Sequence, residues 1–486
     1  MPVEQQPGFS HIHESPLRRR YGSEAMKQLW APESQLLLVR DVWIANARAQ
    51  MRLGLATPEQ VDDLVAHRND LDYDEIESRE MDEDNPRYTG HDIQAHISQY
   101  ADVAPIGAPI IHRGLTSEDP LSTAEIITVK KSLDIVRDGV VDVLGAFAPR
   151  IAEFKDKICM GYTHGQAAEP TTVGYRLARY AQDFLMDLEQ IDLTQKHLKS
   201  KGMKGTVGTG ASFTTLLKGT GVTPAEYEAM VMEELGVDAV TISGQTYPRK
   251  LTHATMQTLA GVGQSVHGFA ADMKLLAHSD VAQMFEGRNP KDAGSSFMPW
   301  KVNPRHSETS KSLARSLPGK ASEAWHNAAE VTQERGLEDS AGKRSYLPDA
   351  FLATDEILRR TKRSLGGFRI SERRIQATLN QYLPYFTLGG LMAELPRRGA
   401  DRSTIHDIFH EHSRAAQEAI EATGHNPLSE MITGDPRLHE FMGEGDLAAY
   451  FADFKPNVGN APERCEQFLE EELYPAIGGK PESVAT

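Results

Sequence analysis

TAEIITVKKSLDIVRDGVVDVLGAFAPRIAEFKDK, residues 123–157, carries apolar side chains at Ile127, Leu133, Val136, Val140, Val143, Leu144, Phe147, Ile151 and Phe154. Recurrence at threes and fours is the period of an α-helix, and no proline interrupts it before Pro149. At about 1.5 Å per residue the segment predicts a rod of roughly 50 Å, broken or bent near Pro149. Stretches 172–198, 250–278 and 308–332 read the same way. Rods of this length bury their apolar stripes only against one another, so the expected fold is all-α, with a long central helix bundle. Shorter helices are predicted over 35–53, 57–69 and 92–100 before the rods, and over 400–422 and 460–472 after them. The chain thus divides into an N-terminal helical domain (1–115), a central bundle (116–370) and a C-terminal helical domain (371–486). There is no internal repeat, and the stretches that read as disordered are the first dozen residues and the tail GGKPESVAT.

Composition narrows the function. A chain of 486 residues with 40% hydrophobic and 25% charged residues is that of a globular protein too long for one ordinary core. Its formal charge of −17 argues against general affinity for nucleic acid. No apolar run approaches the roughly 20 residues that span a bilayer, and the N-terminus MPVEQQPGFSHIHESP lacks the apolar core of a signal peptide. The two cysteines, Cys159 and Cys465, lie far apart without metal-ligand spacing, which suits a reducing cytoplasm.

The chemistry lies in the punctuation between rods. Four polar, glycine-bearing stretches sit at or near rod ends: GHD (90–92), HRGLTSED (112–119), GYTHGQ (161–166) and GSSFMPWKVNPRHSE (294–308). Loops at rod ends can converge in space although far apart in sequence. Each also has a plainer reading. Thr116 and Ser117 fit a helix cap, His164 a turn histidine, and Ser295 and Ser296 ordinary turn residues, while His91 and Asp92 fit a helix start and Arg18 to Arg20 a solvated basic run. Other site patterns are missing. There is no GxxxxGK[ST] loop or GxSxG elbow, GTVGTGAS at 205–212 lacks GxGxxG spacing, and HEH at 410–412 lacks the spacing of a zinc protease helix.

Taken together, the stretches resemble the fumarase/aspartase superfamily, whose members break C–N or C–O bonds by β-elimination and release fumarate. The 294–304 segment is similar to its GSSxMPxKxNP signature. Within the superfamily the chain most resembles the adenylosuccinate lyase family, through RRRYGSEAM, GHDIQAH, GLTSED, GYTHGQAAEPTTVG, GMKGTVGTGASF, ISGQTYPRK, ERGLEDSAGKR and FLEEELYP, from about residue 20 to 475. The resemblance implies a carbon–nitrogen lyase without cofactor or metal. It also implies a cytoplasmic homotetramer in which the rods complete a multi-helix core and each active site is shared between subunits.

It further implies residue roles. Elimination needs a base for the weakly acidic proton beside a carboxylate and an acid for the departing nitrogen. Ser295 matches the base, His164 the acid, and Glu308 the carboxylate that pairs with the acid; a neighbouring carboxylate favours the imidazolium. Lys301, Asn303, Thr116, Ser117 and Gln245 match positions that hold the succinyl carboxylates, where negative charge develops. His91 matches a histidine near the phosphate and leaving group. Arg20, Tyr21, Arg335, Ser340 and Arg344 match nucleotide contacts, arginine being suited to phosphate by its planar fork. Asp92, Thr163, Ser296 and Met298, in the same matched stretches, are expected to touch substrate.

The chain also departs from the family pattern. Gly90 stands where arginine is usual, Val302, His306 and Thr309 replace basic side chains of the signature, and Gly210 replaces a glutamine. Two substrates therefore stay open: adenylosuccinate and its imidazole counterpart in purine synthesis, or a different aspartate-derived N-succinyl compound of specialised metabolism. A catalytically silent structural protein on the same scaffold is a third reading, opposed by the intact Ser295, His164, Lys301 and Glu308.

Overall fold

The computed structural model describes residues 15–289, 291–292 and 294–480. The disorder expected for the first dozen residues and for the tail beyond Lys480 lies outside the described residues. The fold is all-α. Its longest helices among the described residues are Glu118–Phe154, Val173–His197, Lys250–Leu276, Glu338–Gly366 and Glu372–Arg397, of 37, 25, 27, 29 and 26 residues. The first carries the periodic stretch quoted above, and Leu133, Val136, Val140, Val143, Leu144, Phe147 and Ile151 are all fully buried.

Two sequence expectations need correction, and a long helix is absent from the sequence reading. The first rod is not broken at Pro149; the helix runs through it, forgoing one amide bond. The rod expected over 308–332 is two helices, Arg305–Ala314 and Leu317–Ala329. The chain turns at Arg315 and Ser316, whose amide donates to Leu313 O at 3.0 Å. Pro318 then falls in the first turn of the next helix, where no amide hydrogen is needed. The long helix Glu338–Gly366 was not foreseen, since Pro348 lies in its middle.

Two small antiparallel sheets accompany the helices: Ile158–Thr163 with Gln166–Thr172, and Met284–Phe285 with Arg369–Ile370. In the first, Thr163 pairs with Gln166, so His164 and Gly165 alone make the turn. Both have left-handed backbones, φ 53° and 74°, as the tight hairpin turn that matches strand twist requires.

The chain packs as two compact units, each assembled from separated stretches. One takes the chain up to Asp142, Met186–Ala270 and Glu308–Thr361. Its N-terminal part is cored by Val39, Trp43, Leu64, Ile93, Tyr100 and Ile110. Arg40 is buried there, donating to His96 Nε2 and the carbonyls of His67 and Arg68 and stacking 4.0 Å from the Tyr100 ring centre. Burial lowers its pKa to about 10, which still leaves it charged. The other unit takes Val143–Leu185, Ala271–Ser307 and the chain from Lys362 onward, with a core of Leu391, Leu395, Ile405, Phe409, Leu428 and Leu438.

Candidate active site

In the second unit the signature loop is organised around Ser295. Its Oγ accepts the amides of Phe297 and Met298, at 3.2 and 3.0 Å. Two converging amide dipoles favour negative charge on that oxygen. Gly294 allows the loop to fold back on itself: a Cβ there would lie 1.9 Å from Lys301 O. Asn303 Nδ2 closes the loop by donating to Gly294 O at 3.0 Å, and Lys301 N donates to Met298 O at 3.1 Å. The side chains of Ser296 and Lys301 are exposed, as are Phe297 (87%) and Trp300 (78%), so the loop presents apolar surface that one chain does not cover.

A residue that the sequence reading missed anchors this loop. The Glu286 carboxylate, just beyond the strand Met284–Phe285, accepts the amides of His306 and Ser307 at 2.9 Å each and the Ser307 hydroxyl at 2.6 Å. It thereby caps the helix that starts at Arg305, three residues earlier than the Glu308 start expected. Arg305 pairs with Asp292 at 2.6 Å. No sequence signal marks Glu286, because it caps a helix twenty residues away. In the same unit, His164 and Thr163 sit exposed at the tip of the Ile158–Thr172 hairpin. A cavity of about 1130 Å³ in this unit is walled by Glu169, Tyr382, Tyr385 and Tyr450 among others, and none of the expected site residues lines it.

The first unit holds the remaining candidates. Thr116 and Ser117 directly precede the helix that begins at Glu118, and Thr116 N donates to Asp119 Oδ2 at 2.7 Å. The other Asp119 oxygen accepts the amides of Lys204 and Gly205, each at 3.1 Å, and lies 2.6 Å from Lys201 Nζ. Asp119 and Lys201 are fully buried. Burial lowers the Lys201 pKa while Asp119 opposes the shift. The glycine-rich stretch after residue 201 is therefore a clamp on the Thr116–Ser117 turn.

Gln245 and Arg335 meet beside this turn. Arg335 Nη1 donates to Gln245 Oε1 at 3.1 Å and lies 2.5 Å from Glu118 Oε1. Behind them, Arg249 pairs with Asp339 at 2.6 Å and Glu125 at 3.6 Å, and Lys343 pairs with Glu125 at 2.6 Å. Tyr247 donates its hydroxyl to Glu125 and lies under Arg249, 4.6 Å from the guanidinium to the ring centre. Burial pushes the Glu125 carboxyl up, but Lys343 and Arg249 outweigh it and hold the group below its ordinary value. This lattice fixes the start of the Glu338–Gly366 helix, which carries Ser340 and Arg344.

His91 precedes the helix Asp92–Val103, with its Nδ1 3.0 Å from Asp92 Oδ1, and the other Asp92 oxygen lies 3.3 Å from Arg344. His91, Asp92 and Arg344 are thus neighbours. Arg20 and Tyr21 are placed elsewhere: Arg20 is exposed, and Arg360 lies over the Tyr21 ring at 5.9 Å. Arg360 is on the same helix as Arg344, about 24 Å further along at the usual rise. Glu308 is exposed in the first turn of Arg305–Ala314. The expected residues therefore form two groups on one chain. Ser295, Ser296, Met298, Lys301, Asn303, Thr163 and His164 belong to the second unit; Arg20, Tyr21, His91, Asp92, Thr116, Ser117, Gln245, Glu308, Arg335, Ser340 and Arg344 belong to the first.

Comparison with known proteins bears on this arrangement. A family model described as lyase matches residues 35–319. The chain is 32% identical to adenylosuccinate lyase of Schistosoma mansoni over 96% of both chains. It is 32% identical to that of Schizosaccharomyces pombe, covering 96% of this chain and 95% of the relative, and 29% identical to that of Pyrococcus abyssi, covering 93% and 97%. Its fold is similar to that of a fumarate lyase from Mesorhizobium sp. BNC1, with a TM-score of 0.80 at 21% identity over 93% of this chain and 99% of the other. A 3-carboxy-cis,cis-muconate lactonizing enzyme from Pseudomonas putida gives a TM-score of 0.79 at 18% identity, over 94% and 98%. Full-length similarity to relatives from animals, fungi and archaea, at up to 32% identity, leaves one family: the chain belongs to the adenylosuccinate lyase family.

Proposed function

We propose that the chain is a fumarate-releasing carbon–nitrogen lyase that converts adenylosuccinate to AMP, and the succinylated imidazole carboxamide nucleotide (SAICAR) to its free carboxamide (AICAR). The observation that carries the chemistry is the pair of amides on Ser295 Oγ. As the alkoxide, Ser295 removes the proton from the carbon beside the β-carboxylate. The electron pair left behind is delocalised into that carboxylate and then forms the fumarate double bond as the C–N bond breaks. His164, as imidazolium paired with Glu308, gives its proton to the departing nitrogen. Lys301, Asn303, Thr116, Ser117 and Gln245 hold the two succinyl carboxylates, aided by Ser296, Met298 and Thr163. His91 and Asp92 flank the leaving group, and Arg20, Tyr21, Arg335, Ser340 and Arg344 hold the nucleotide.

The chain works as a cytoplasmic homotetramer with shared sites, and its sequence divides functionally near residues 115 and 370. Exposed apolar residues on the rods support the assembly. Tyr175 (41%), Met186 (62%) and Leu193 (48%) lie on one face of Val173–His197, since 18 residues make about five turns. The exposed His164 and the open signature loop also suit a site completed by another subunit. Among the described residues no helix is long and apolar enough to cross a membrane. The alternative substrate, another N-succinyl compound, is favoured by the missing cations at Gly90, Val302, His306 and Thr309; the full-length relatives support the nucleotide. Fumarate release measured side by side on adenylosuccinate and SAICAR tests the proposal, and a folded tetramer that turns over neither would overturn it.

A further inference from the structure

We propose that Glu118 is a built-in competitor for the substrate's phosphate: its carboxylate holds Arg335, and binding of the nucleotide must draw Arg335 away from it. The inference rests on the reading above that Arg335 contacts phosphate.

Glu118 is 6% exposed and places Oε1 2.5 Å from Arg335, while its Oε2 accepts the Ser122 hydroxyl at 2.6 Å. It cannot follow a moving partner, because it is built into the first turn of Glu118–Phe154 and tied to the next turn through Ser122. Burial pushes its carboxyl up, but Lys343 and Arg249, with the Ser122 hydrogen bond, outweigh this and hold it below its ordinary value. Arg335 is the member of the pair that lies outside a helix and has the longer side chain to swing. It sits in the non-helical segment between Leu317–Ala329 and Glu338–Gly366, where Gln333 has a left-handed backbone, φ 50°.

The charges around the pair are already balanced. Arg335, Arg249 and Lys343 stand against Glu118, Glu125 and Asp339, joined by contacts of 2.5 to 3.6 Å. Each of these three cations is paired, so a phosphate arriving here wins Arg335 only against a fixed carboxylate. The same phosphate is present on substrate and nucleotide product. Weakening a contact common to both raises KM without slowing the chemical step, and it hastens product release. Glu118 thus tunes affinity for the phosphorylated end of the substrate.

The test is Glu118→Gln, which keeps the size and the Ser122 contact and removes the charge. It is measured with adenylosuccinate, with its 5′-dephosphorylated nucleoside analogue, and with AMP as product inhibitor. We expect KM for the nucleotide and the inhibition constant of AMP each to fall about three- to tenfold, while KM for the nucleoside stays within about twofold. Glu118→Asp, which keeps the charge but withdraws it by one methylene, should move the same constants in the same direction by less, and covers the case of a Gln variant that fails to fold. A rise in nucleotide KM would make Glu118 a support for Arg335 rather than its competitor, and an equal shift for both substrates would mean general damage; either overturns the proposal. Arg335→Ala tests the premise separately. Unchanged nucleotide KM in that variant removes the phosphate role itself, whereas a raised KM that Glu118→Gln no longer lowers in the double variant supports the competition.

Discussion

Replacing Glu286 with alanine removes the carboxylate that accepts the His306 and Ser307 amides at 2.9 Å and the Ser307 hydroxyl at 2.6 Å. Those amides belong to the first turn of Arg305–Ala314 and have no acceptor within the helix. Loss of a capping side chain costs about 1 kcal/mol, and a donor left buried adds roughly 1–3 kcal/mol. Ser307 is 3% exposed, so water does not readily replace its partner, whereas His306 is half-buried and suffers less. The sum, on the order of 3 kcal/mol, falls on the junction that holds Lys301 and Asn303 in place. At about 1.4 kcal/mol per decade this permits a loss of kcat/KM of roughly 10- to 100-fold. Fumarate release followed by ultraviolet absorbance gives the rate, and a thermal melt shows whether the body of the protein is intact. Glu286→Gln, which keeps one carbonyl acceptor, should lose less. A Glu286→Ala enzyme with kcat/KM within about twofold of the parent would refute the view that this carboxylate organises the loop.

Other outcomes follow from the same geometry. Ser295→Ala should lower kcat by roughly 10³-fold or more while substrate still binds, because the base acts mainly in the transition state; near-normal turnover would remove serine from that role. Alanine at Arg20 or Arg335 should raise KM strongly in steady-state kinetics, and an unchanged constant in both would argue for a leaving group without phosphate. For acid stability, burial and then the nearby His91 lower His112 from 6.5 to about 4, and its Nδ1 accepts the Trp43 indole N–H at 3.0 Å. Burial, then Arg40, likewise keeps His96 neutral. The unfolded chain therefore binds protons that the folded one refuses, and stability should fall as pH drops from about 6.5 towards 4. For His112 the ceiling is about 3 kcal/mol, reduced to about 2 by its partial exposure. A lower urea midpoint at pH 5 than at pH 7, partly restored in His112→Asn, is the expected result, and equal midpoints would contradict it.

The parts of the fold legible in the sequence were those with a local cause. The rods over 172–198 and 250–278 are found as Val173–His197 and Lys250–Leu276 because their apolar period is written in consecutive residues. Proline was harder to weigh. Pro149 and Pro348 lie inside continuous helices, while Pro318 opens a new one, since the outcome depends on packing around the forfeited amide. The hairpin that carries His164 was hidden as well: its strands are short and lack a clean alternation of buried and exposed residues, and pairing of Thr163 with Gln166 is a relation between segments.

The candidate site divides along the same line. The sequence alone determined which reactive groups are present, through an ordered motif from Gly294 to Pro304 and the stretches around His91, Thr116, His164, Gln245 and Arg335. It also determined that long apolar stripes must be buried against other helices. Tertiary structure alone decided what surrounds those groups: that Ser295 Oγ meets two amides, that Glu286 caps a helix twenty residues on, and that Glu118, Glu125 and Asp339 neutralise Arg335, Lys343 and Arg249. Side-chain identity is a local property and can be read in order. The field and hydrogen bonds that give a side chain its chemistry come from distant partners, 217 positions away for Arg335 and Glu118 and 252 for Arg344 and Asp92, and only the folded chain brings them together.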